Sequence, residues 1–341
     1  MSENQQRILI LCNSFGGGGA EDSMSALHVA LINRGLNSTF LAINNDPNYS
    51  RIMSSTELKR TWGGGPLNTL RAIHDFRHYL KTNTFAAIIA NCELAELFVA
   101  ASNFRPGRII CVEHTTRPWA GRRLLGRAVR KILDLYRAEW VSVVKSQLHV
   151  WSSLQTPRYI PNPFSDKPVP RTGMEERLIY IGRLRQEKRP ELVIRTAIDL
   201  KVPATIVGAG AQQSHLMQKY AENKNISFLG YKSDPWLELK SGGLVIVPSE
   251  YEGDGMVVVE AIINNFPILL ADNADLRRFD LSEGHYFRDQ NDLKNKVKIG
   301  LPDNFAKFLV SNEKRDEIKR TREFNSILDQ WLDLLNFESK F

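Results

Sequence analysis

Short runs of aliphatic and β-branched residues alternate with helix-length segments from the beginning of the chain. Residues Ile8–Cys12, Ser38–Ile43 and Phe85–Ala90 are such runs, and helical periodicity fills the stretches 23–35 and 67–81. Strands buried on both faces read as continuous apolar runs, and a strand–helix–strand order gives a parallel sheet with right-handed crossovers. The pattern predicts a Rossmann-like first domain, with three further strands: Arg108–Val112, Trp140–Val144 and Tyr159–Ile160.

A cluster of five prolines between Pro157 and Pro170 interrupts this alternation and is typical of a linker. Apolar runs of strand length then resume, at Leu178–Ile181, Ala204–Val207, Ile226–Leu229, Leu244–Val247 and Pro267–Leu270. We therefore predict an α/β chain with two Rossmann-like, doubly wound parallel-sheet domains. The domains are expected to face each other across a cleft, and the active site is expected in that cleft, outside the carboxyl ends of the strands.

The expected division is a first, acceptor-binding domain over 1–165, a second, donor-binding domain over 166–320 and a C-terminal helix over 321–341. The tail from Asp316 is helical in pattern, with an apolar stripe that needs a packing partner: Ile327, Leu328, Trp331, Leu332, Leu334 and Leu335. This helix is expected to return to the first domain.

The sequence also predicts the cellular location of the protein. No apolar stretch approaches the roughly 20 residues of a membrane-spanning helix, and the first residues lack the pattern of a signal peptide. A cytoplasmic protein is therefore expected. The three cysteines, Cys12, Cys92 and Cys111, lack metal-ligand spacing and are expected to be plain buried thiols.

Positive charge is concentrated in the first half. Residues 1–165 contain 19 Lys and Arg against 11 Asp and Glu, a net charge of +8, within a total of +7 for the whole chain. Such an excess favours an anionic partner, such as a membrane surface or a phosphorylated acceptor, and nucleic acid is not expected. The stretch Trp119–Arg137 is basic and amphipathic, typical of either a surface helix packed on a sheet or a docking face for an anionic bilayer.

The most specific chemical segment runs from Ser249 to Glu260. Glu252 and Glu260, with seven residues between them, flank the turn Gly253–Gly255 between an apolar strand and a helix-length stretch. Glycines at such a turn let backbone N–H groups approach an anion, and two carboxylates can accept hydrogen bonds from two sets of hydroxyls. Spacing alone is equally compatible with a solvated surface loop.

A second segment follows the first strand of the second domain. Gly182 permits close approach of the backbone, and Arg183 and Lys188 are cations placed to meet phosphate groups. A charge run of this kind is more often a solvated face, but its place at the end of a strand favours a phosphate site.

Together these segments resemble glycosyltransferase family 4, whose members are retaining enzymes of the GT-B fold. The resemblance is carried by Gly182-Arg183-Leu184 with Lys188, Ile206–Gly210, Phe228–Tyr231, Pro248-Ser249 and the two glutamates followed by Ala261. More loosely, it includes the glycine run 16–19, His114 and Pro161-Asn162-Pro163 in the first half.

The resemblance implies roles for the matching residues. Arg183 and Lys188 would hold the diphosphate and stabilise it as it leaves, Glu252 would bind donor-sugar hydroxyls, and Glu260 the ribose. His114 would lie beside the reacting centre, with Glu113 and Arg117 near the acceptor. The remaining donor contacts would come from Gly17, Gly18, Gly182, Gly208, Gly210, Gly253, Asp254, Gly255 and Met256. The resemblance implies no metal and no cofactor besides the co-substrate, a nucleotide-diphosphate sugar, for which UDP is favoured over GDP.

Three departures from the family pattern surround the implied sugar pocket. Asp254 stands where an aromatic residue is usual, 264–266 lacks the usual glycine, and Asp272–Asp275 replaces a glycine pair. The sequence therefore does not identify the donor sugar.

The expected function is transfer of a hexose-type sugar to a glycan or lipid-linked acceptor, in assembly of a bacterial-type surface polysaccharide, lipopolysaccharide or capsule, at the cytoplasmic face of the membrane. Two alternatives stay open: a nucleotide-sugar epimerase of similar fold, and a non-catalytic scaffold that binds anionic surfaces. Dinucleotide-dependent redox chemistry is disfavoured, because Asn44-Asn45-Asp46 is a poor ribose-binding end for the second strand.

Overall fold

The computed structural model describes residues 7–15, 18–45, 53–61, 64–102, 107–115, 117–145, 156–164, 169 and 172–335. Contacts divide the chain into two compact units: Met1–Pro163 with Asn325–Phe341, and Phe164–Phe324. No helix in the described ranges is long and apolar enough to cross a membrane.

The first unit is built on a sheet in which seven described strands run parallel, in the order β3-β2-β1-β4-β5-β6-β7. Its strands are β1 (Ile8–Cys12), β2 (Ser38–Asn45), β3 (Ser55–Thr61), β4 (Ala87–Asn91), β5 (Arg108–Glu113), β6 (Glu139–Ser142) and β7 (Arg158–Tyr159). The helices between them are α1 (Gly19–Asn33), α2 (Pro66–Thr82), α3 (Cys92–Ala101) and α4 (Arg123–Leu135).

The second unit contains a parallel sheet of six described strands in the order β10-β9-β8-β11-β12-β13. Its strands are β8 (Leu178–Ile181), β9 (Ala204–Val207), β10 (Ile226–Gly230), β11 (Leu244–Val247), β12 (Ile268–Ala271) and β13 (Tyr286–Phe287). Its helices are α5 (Pro190–Leu200), α6 (Gln213–Lys219), α7 (Pro235–Glu238), α8 (Met256–Ile263), α9 (Ala274–Arg277), α10 (Gln290–Gly300) and α11 (Asn312–Thr321).

The continuous apolar runs are the central strands. Every residue of β1, β4, β9, β11 and β12 is buried, as expected of parallel strands covered on both faces. The bounds predicted for β1, β8, β9 and β11 are confirmed at both ends. The sequence pattern did not predict two edge strands. These are β3, which is polar (STELKRT), and β13, which has two residues. An edge strand needs only one partner, so neither required a long apolar run.

Helix α8 forms against the local preference of Val257-Val258-Val259 for strand. Val258, Val259, Ala261, Ile262 and Ile263 are all buried in the core of the second unit. Burial of this face outweighs a propensity difference that amounts to only a few tenths of a kcal/mol per residue.

The C-terminal segment differs from the single helix expected after Asp316. Helix α11 ends at Thr321, and α12 (Phe324–Leu335) follows as a separate helix. Within the first unit, Asp333 of α12 accepts a bond of 2.5 Å from Arg158 at β7. The apolar stripe of α12 is buried except for Leu332, which is partly exposed. Residues 336–341 lie outside the described ranges.

Replacing Gly208 with Ala tests the packing at the carboxyl ends of β8 and β9. A Cβ atom there would lie 1.9 Å from the carbonyl oxygen of Gly182, and the backbone φ is +135°. We expect a loss of about 3 kcal/mol or more in the free energy of unfolding, from the clash and the backbone strain together. Urea unfolding followed by circular dichroism measures it.

Gly284→Ala is the matched control for this substitution. The nearest neighbour of its added Cβ is Ser282 Oγ at 3.9 Å. Its unfolding midpoint should stay close to that of the wild type. Equal midpoints for the two variants would show that the close approach at Gly208 does not constrain the fold.

Candidate functional site

Two loops meet at the carboxyl edge of the sheet in the second unit. One follows β8 and carries Arg183 and Lys188, and the other joins β11 to α8 and carries Glu252. The backbone N–H of Glu250 donates to the carbonyl of Glu187 at 2.9 Å, so the loops are hydrogen-bonded directly. Because β8 and β11 are adjacent parallel strands, their carboxyl ends open at the same edge.

Lys188 and Glu252 form the central ion pair of this edge. Lys188 Nζ donates to Glu252 Oε1 at 2.7 Å, and each side chain is 17% exposed. The other carboxylate oxygen of Glu252 accepts from Ser249 Oγ at 3.0 Å. A half-buried cation thus stands where a ligand from solvent can reach it, and its charge is balanced by one of the two glutamates that the sequence singled out.

Glu260 lies half-buried on α8 and has a different partner. Its Oε2 atom accepts a bond of 2.9 Å from the indole Nε1 of Trp236, a buried residue of α7. The Trp236 ring packs on Phe266 with centroids 5.0 Å apart, which fixes the indole. The carboxylate of Glu260 is therefore oriented by a hydrogen bond from Trp236, whereas the carboxylate of Glu252 is held by an ion pair with Lys188.

The glycines after β8 and β9 have a packing role. Gly182 N donates to Val207 O at 3.0 Å, and Leu184 N donates to Ala209 O at 2.8 Å. A Cβ at Gly208 or Gly210 would lie 1.9 or 2.6 Å from a backbone oxygen of the facing loop. Their need for glycine is explained by contact between two backbones, and donor binding by Gly182, Gly208 and Gly210 stays a prediction.

Arg183 is exposed, and its own carbonyl accepts a bond of 2.8 Å from the buried Tyr180 hydroxyl. Burial raises the pKa of Tyr180, so this hydroxyl remains a donor. The backbone that carries Arg183 is thus fixed, while its guanidinium reaches solvent.

The turn between the two glutamates contains a buried acid. Asp254 is 6% exposed, and its carboxylate accepts two bonds from Arg322, at 2.5 and 2.7 Å. Gly255 adopts φ +68° and caps α8, which begins at Met256. In the first unit, Gly18 precedes α1, and Gly17 lies outside the described residues.

Glu113 and His114 lie buried where β5 ends in the first unit. Glu113 Oε2 accepts from Arg130 at 2.5 Å, and Glu113 Oε1 accepts from Thr115 N at 3.0 Å. Arg117 is exposed. The side chain of Glu113 thus takes part in an internal network, and its place near the acceptor stays a prediction.

Arg130 joins Glu113 to a second buried acid, Glu96. It donates to Glu96 through Nε at 3.0 Å and Nη2 at 2.8 Å, and Trp119 Nε1 donates to Glu96 at 2.9 Å. One guanidinium can neutralise only one of two carboxylates. Glu96 receives more hydrogen bonds, and burial raises the pKa of Glu113 to about 8 against the pull of the Arg130 charge. Glu113 is therefore the acid that holds a proton near neutral pH.

Helix α4 forms most of the basic stretch Trp119–Arg137. Arg130 points inward, whereas Leu124, Leu125 and Leu135 of α4 are 80%, 42% and 72% exposed. Val129 and Leu133 are also buried. The outer face of α4 thus combines exposed leucines with exposed cations: Arg123, Arg127 and Lys131.

The sequence did not identify several partners of the candidate site and of the buried acids, namely Trp236, Asn273, Asp275, Arg278, Arg322 and Glu96, nor Arg130 as a buried group. The sequence contained one indication of Asn273 and Asp275, because the segment Asp272–Asp275 departs from the family pattern near the implied sugar pocket. The others lie far from their partners in the chain and carry no local motif.

Comparison with known proteins places these features in context. Residues 162–279 match the family model described as Glycosyl transferases group 1. Over 186 residues the chain is 28% identical to the poly(ribitol-phosphate) alpha-N-acetylglucosaminyltransferase of Staphylococcus aureus, a match that covers 49% of this chain and 37% of that relative. The chain thus spans well under half the length of this curated relative.

The solved structures extend the likeness to the whole fold. Anabaena HepE in complex with UDP and glucose superposes with a TM-score of 0.80 at 14% identity, over 97% of this chain and 100% of that one. The sucrose-phosphate synthase of Thermosynechococcus elongatus superposes with a TM-score of 0.78 at 18% identity, over 96% and 98%. With the two parallel-sheet units, these matches confirm the predicted GT-B fold of two Rossmann-like domains.

Glu113→Gln tests the protonation of the buried acid. Between about pH 4.3, where an unfolded glutamate ionises, and about pH 8, the folded chain keeps a proton that the unfolded chain has released. The free energy of unfolding of the wild type therefore falls as pH rises through this window, by at most about 1.4 kcal/mol per pH unit. Glutamine cannot ionise, so the stability of the variant relative to the wild type should rise from pH 5.5 to 8 and level off above. Urea unfolding at each pH measures the difference, and a flat difference would show that Glu113 is ionised throughout.

Proposed function

We propose that the chain is a retaining, metal-independent glycosyltransferase that moves a hexose-type sugar from a nucleotide-diphosphate sugar to a glycan or lipid-linked acceptor. One observation carries the proposal. Lys188 and Glu252 are paired at 2.7 Å at the carboxyl edge of the second sheet, inside the segment that matches the Glycosyl transferases group 1 model. A cation for phosphate and a carboxylate for hydroxyls are thus adjacent, as a nucleotide sugar requires.

Four side chains of the second unit and the first turn of α8 have roles in this proposal. Lys188 and Arg183 bind the diphosphate and stabilise the negative charge that grows on it as the sugar leaves. Glu260, oriented by Trp236, accepts from the ribose hydroxyls, and Glu252 accepts from hydroxyls of the sugar. The first turn of α8 presents backbone N–H groups that have no partner within the helix, and these favour the phosphate.

In the proposed transfer step the anomeric carbon of the sugar keeps its configuration. The bond between the anomeric carbon and the phosphate oxygen breaks while the acceptor oxygen bonds to the same face of that carbon. The acceptor proton passes to the leaving phosphate, so the step balances without a protein base. His114 then serves to contact the donor sugar, and the first unit supplies the acceptor side.

The donor and acceptor classes are proposed from the relatives. The solved HepE complexes contain UDP with glucose and UDP-glucose, which favours a UDP-sugar here over a GDP-sugar. The S. aureus relative acts on poly(ribitol-phosphate), and another structural neighbour is a lipopolysaccharide outer core galactosyltransferase. Surface polymer assembly is therefore the proposed setting, with the donor arriving from the cytosol.

A membrane-facing role is proposed for the outer face of α4. Leu124, Ala128 and Ile132 are exposed and recur at helical spacing, and Arg127 and Lys131 flank them. An exposed apolar stripe beside cations matches the interface of an anionic bilayer, where leucines enter the headgroup region and cations meet lipid phosphates. The occupant we propose is therefore an anionic lipid surface.

Lys188→Ala tests the proposed chemistry. Removal of a cation that stabilises developing phosphate charge should lower turnover by about a hundredfold or more with the best of a panel of UDP-, GDP- and ADP-sugars. Lys224→Ala removes an exposed cation of the same unit and should leave turnover unchanged. A chelator should leave the wild type active. Full turnover in Lys188→Ala, or a strict need for a divalent cation, would contradict the proposed mechanism.

A charge-removal variant tests the membrane surface. Replacing Arg123, Arg127 and Lys131 with Gln removes three cations worth about 1 kcal/mol each near an anionic leaflet, so sedimentation with anionic vesicles should weaken by about a hundredfold. The control replaces Lys224, Lys298 and Lys319, three exposed lysines of the second unit, with Gln and should keep the binding. Nucleotide affinity should be the same in both variants. Equal binding to anionic and neutral vesicles would leave α4 without a role at the membrane.

A further inference from the structure

Asp254 and Arg322 form a buried bidentate ion pair across 68 residues of sequence, at 2.5 and 2.7 Å. Their side chains are 4% and 10% exposed. Asp254 belongs to the turn between the two glutamates, and Arg322 lies between α11 and α12. Breaking such a pair leaves a buried charge uncompensated, although apolar residues of similar shape would stabilise a fold equally well. The pair is therefore better explained by what it positions than by stability.

The same turn is held at other points by residues around α9. Asn273 Nδ2 donates to Ser249 O at 2.8 Å, and Asp275 Oδ2 accepts from Glu252 N at 3.0 Å. Arg278 donates to the carbonyl oxygens of Glu252 and Gly253. The backbone from 249 to 253 is thus held by α9 and its C-terminal end, and the next residue, Asp254, by Arg322.

Arg322 is itself tied to the beginning of the second unit. Its carbonyl accepts a bond of 2.9 Å from Phe164 N, the first residue of that unit, and Phe324 is the last. A single residue therefore connects the glutamate turn with both ends of the unit.

Glu260 is oriented by a different residue of the second unit. It is set by Trp236 and by the buried face of α8, and Trp236 packs on Phe266. A change at Arg322 is therefore expected to move the turn that carries Glu252 more than the proposed ribose contact at Glu260.

We propose that Asp254 and Arg322 are positioning residues, which set the turn so that the Glu252 carboxylate meets the donor sugar. They would act on the sugar-transfer step and not on nucleotide binding. This inference rests on the proposed function, because Glu252 is a sugar ligand only if the chain transfers sugar.

The test compares Arg322→Lys and Asp254→Asn with the wild type. Lysine keeps the charge of Arg322 but loses its two-pronged geometry, and asparagine keeps the shape of Asp254 but loses its charge. Both variants should bind UDP within threefold of the wild type and show a kcat at least tenfold lower. Arg277→Lys is the matched control: Arg277 precedes Arg278 but bonds to Asp272 and Glu283, away from the turn, so both constants should be unchanged.

Hydrogen exchange supplies a readout that does not need activity. Amides of residues 249–255 should exchange about tenfold faster in Arg322→Lys than in the wild type, while those of β8 and β9 keep their rates. Unchanged exchange in the turn overturns the inference, and so does an unchanged kcat, or a parallel loss of UDP affinity and kcat. A wild type that turns over no nucleotide sugar counts against the proposed function, and the exchange experiment then still decides whether Arg322 holds the turn.

Discussion

The ion pair between Lys188 and Glu252 is the contact on which the candidate donor site depends. It joins the loops after β8 and β11, which are also linked by the bond from Glu250 N to Glu187 O. Neither charge is free in water or fully buried, so each stabilises the other while remaining within reach of a ligand. A diphosphate that approaches Lys188 would meet a cation already oriented, which lowers the ordering cost of binding.

Buried charged side chains in both units are also paired with opposite charges. Arg322 neutralises Asp254 where water is excluded, and Arg130 lies between two buried acids in the first unit, one of which holds a proton. Buried charges left unpaired are costly, so each such group needs an oppositely charged partner within hydrogen-bonding distance. This need for a particular partner explains how a short glycine-containing turn keeps a defined shape.

The apolar pattern was sufficient for the architecture. Continuous runs predicted the central strands because burial on both faces leaves no polar positions, and the order of strands and helices predicted two parallel sheets. The polar edge strand β3 and the interruption between α11 and α12 were missed. At an edge the backbone bonds to one neighbour only, and at Arg322 the chain leaves a helix to meet Asp254, a partner 68 residues away.

The sequence by itself determined the residue types and the order of the elements: two glutamates around a glycine turn, a cation after the first strand of the second domain, and glycines where loops approach. Tertiary structure alone decided which distant charges meet. It paired Lys188 with Glu252, placed Trp236 behind Glu260, and turned Arg130 inward while leaving Leu124 outside. The physical reason is that pairing depends on which strands end side by side at one edge and on how deeply each loop is buried, and neither is encoded within a few neighbouring residues.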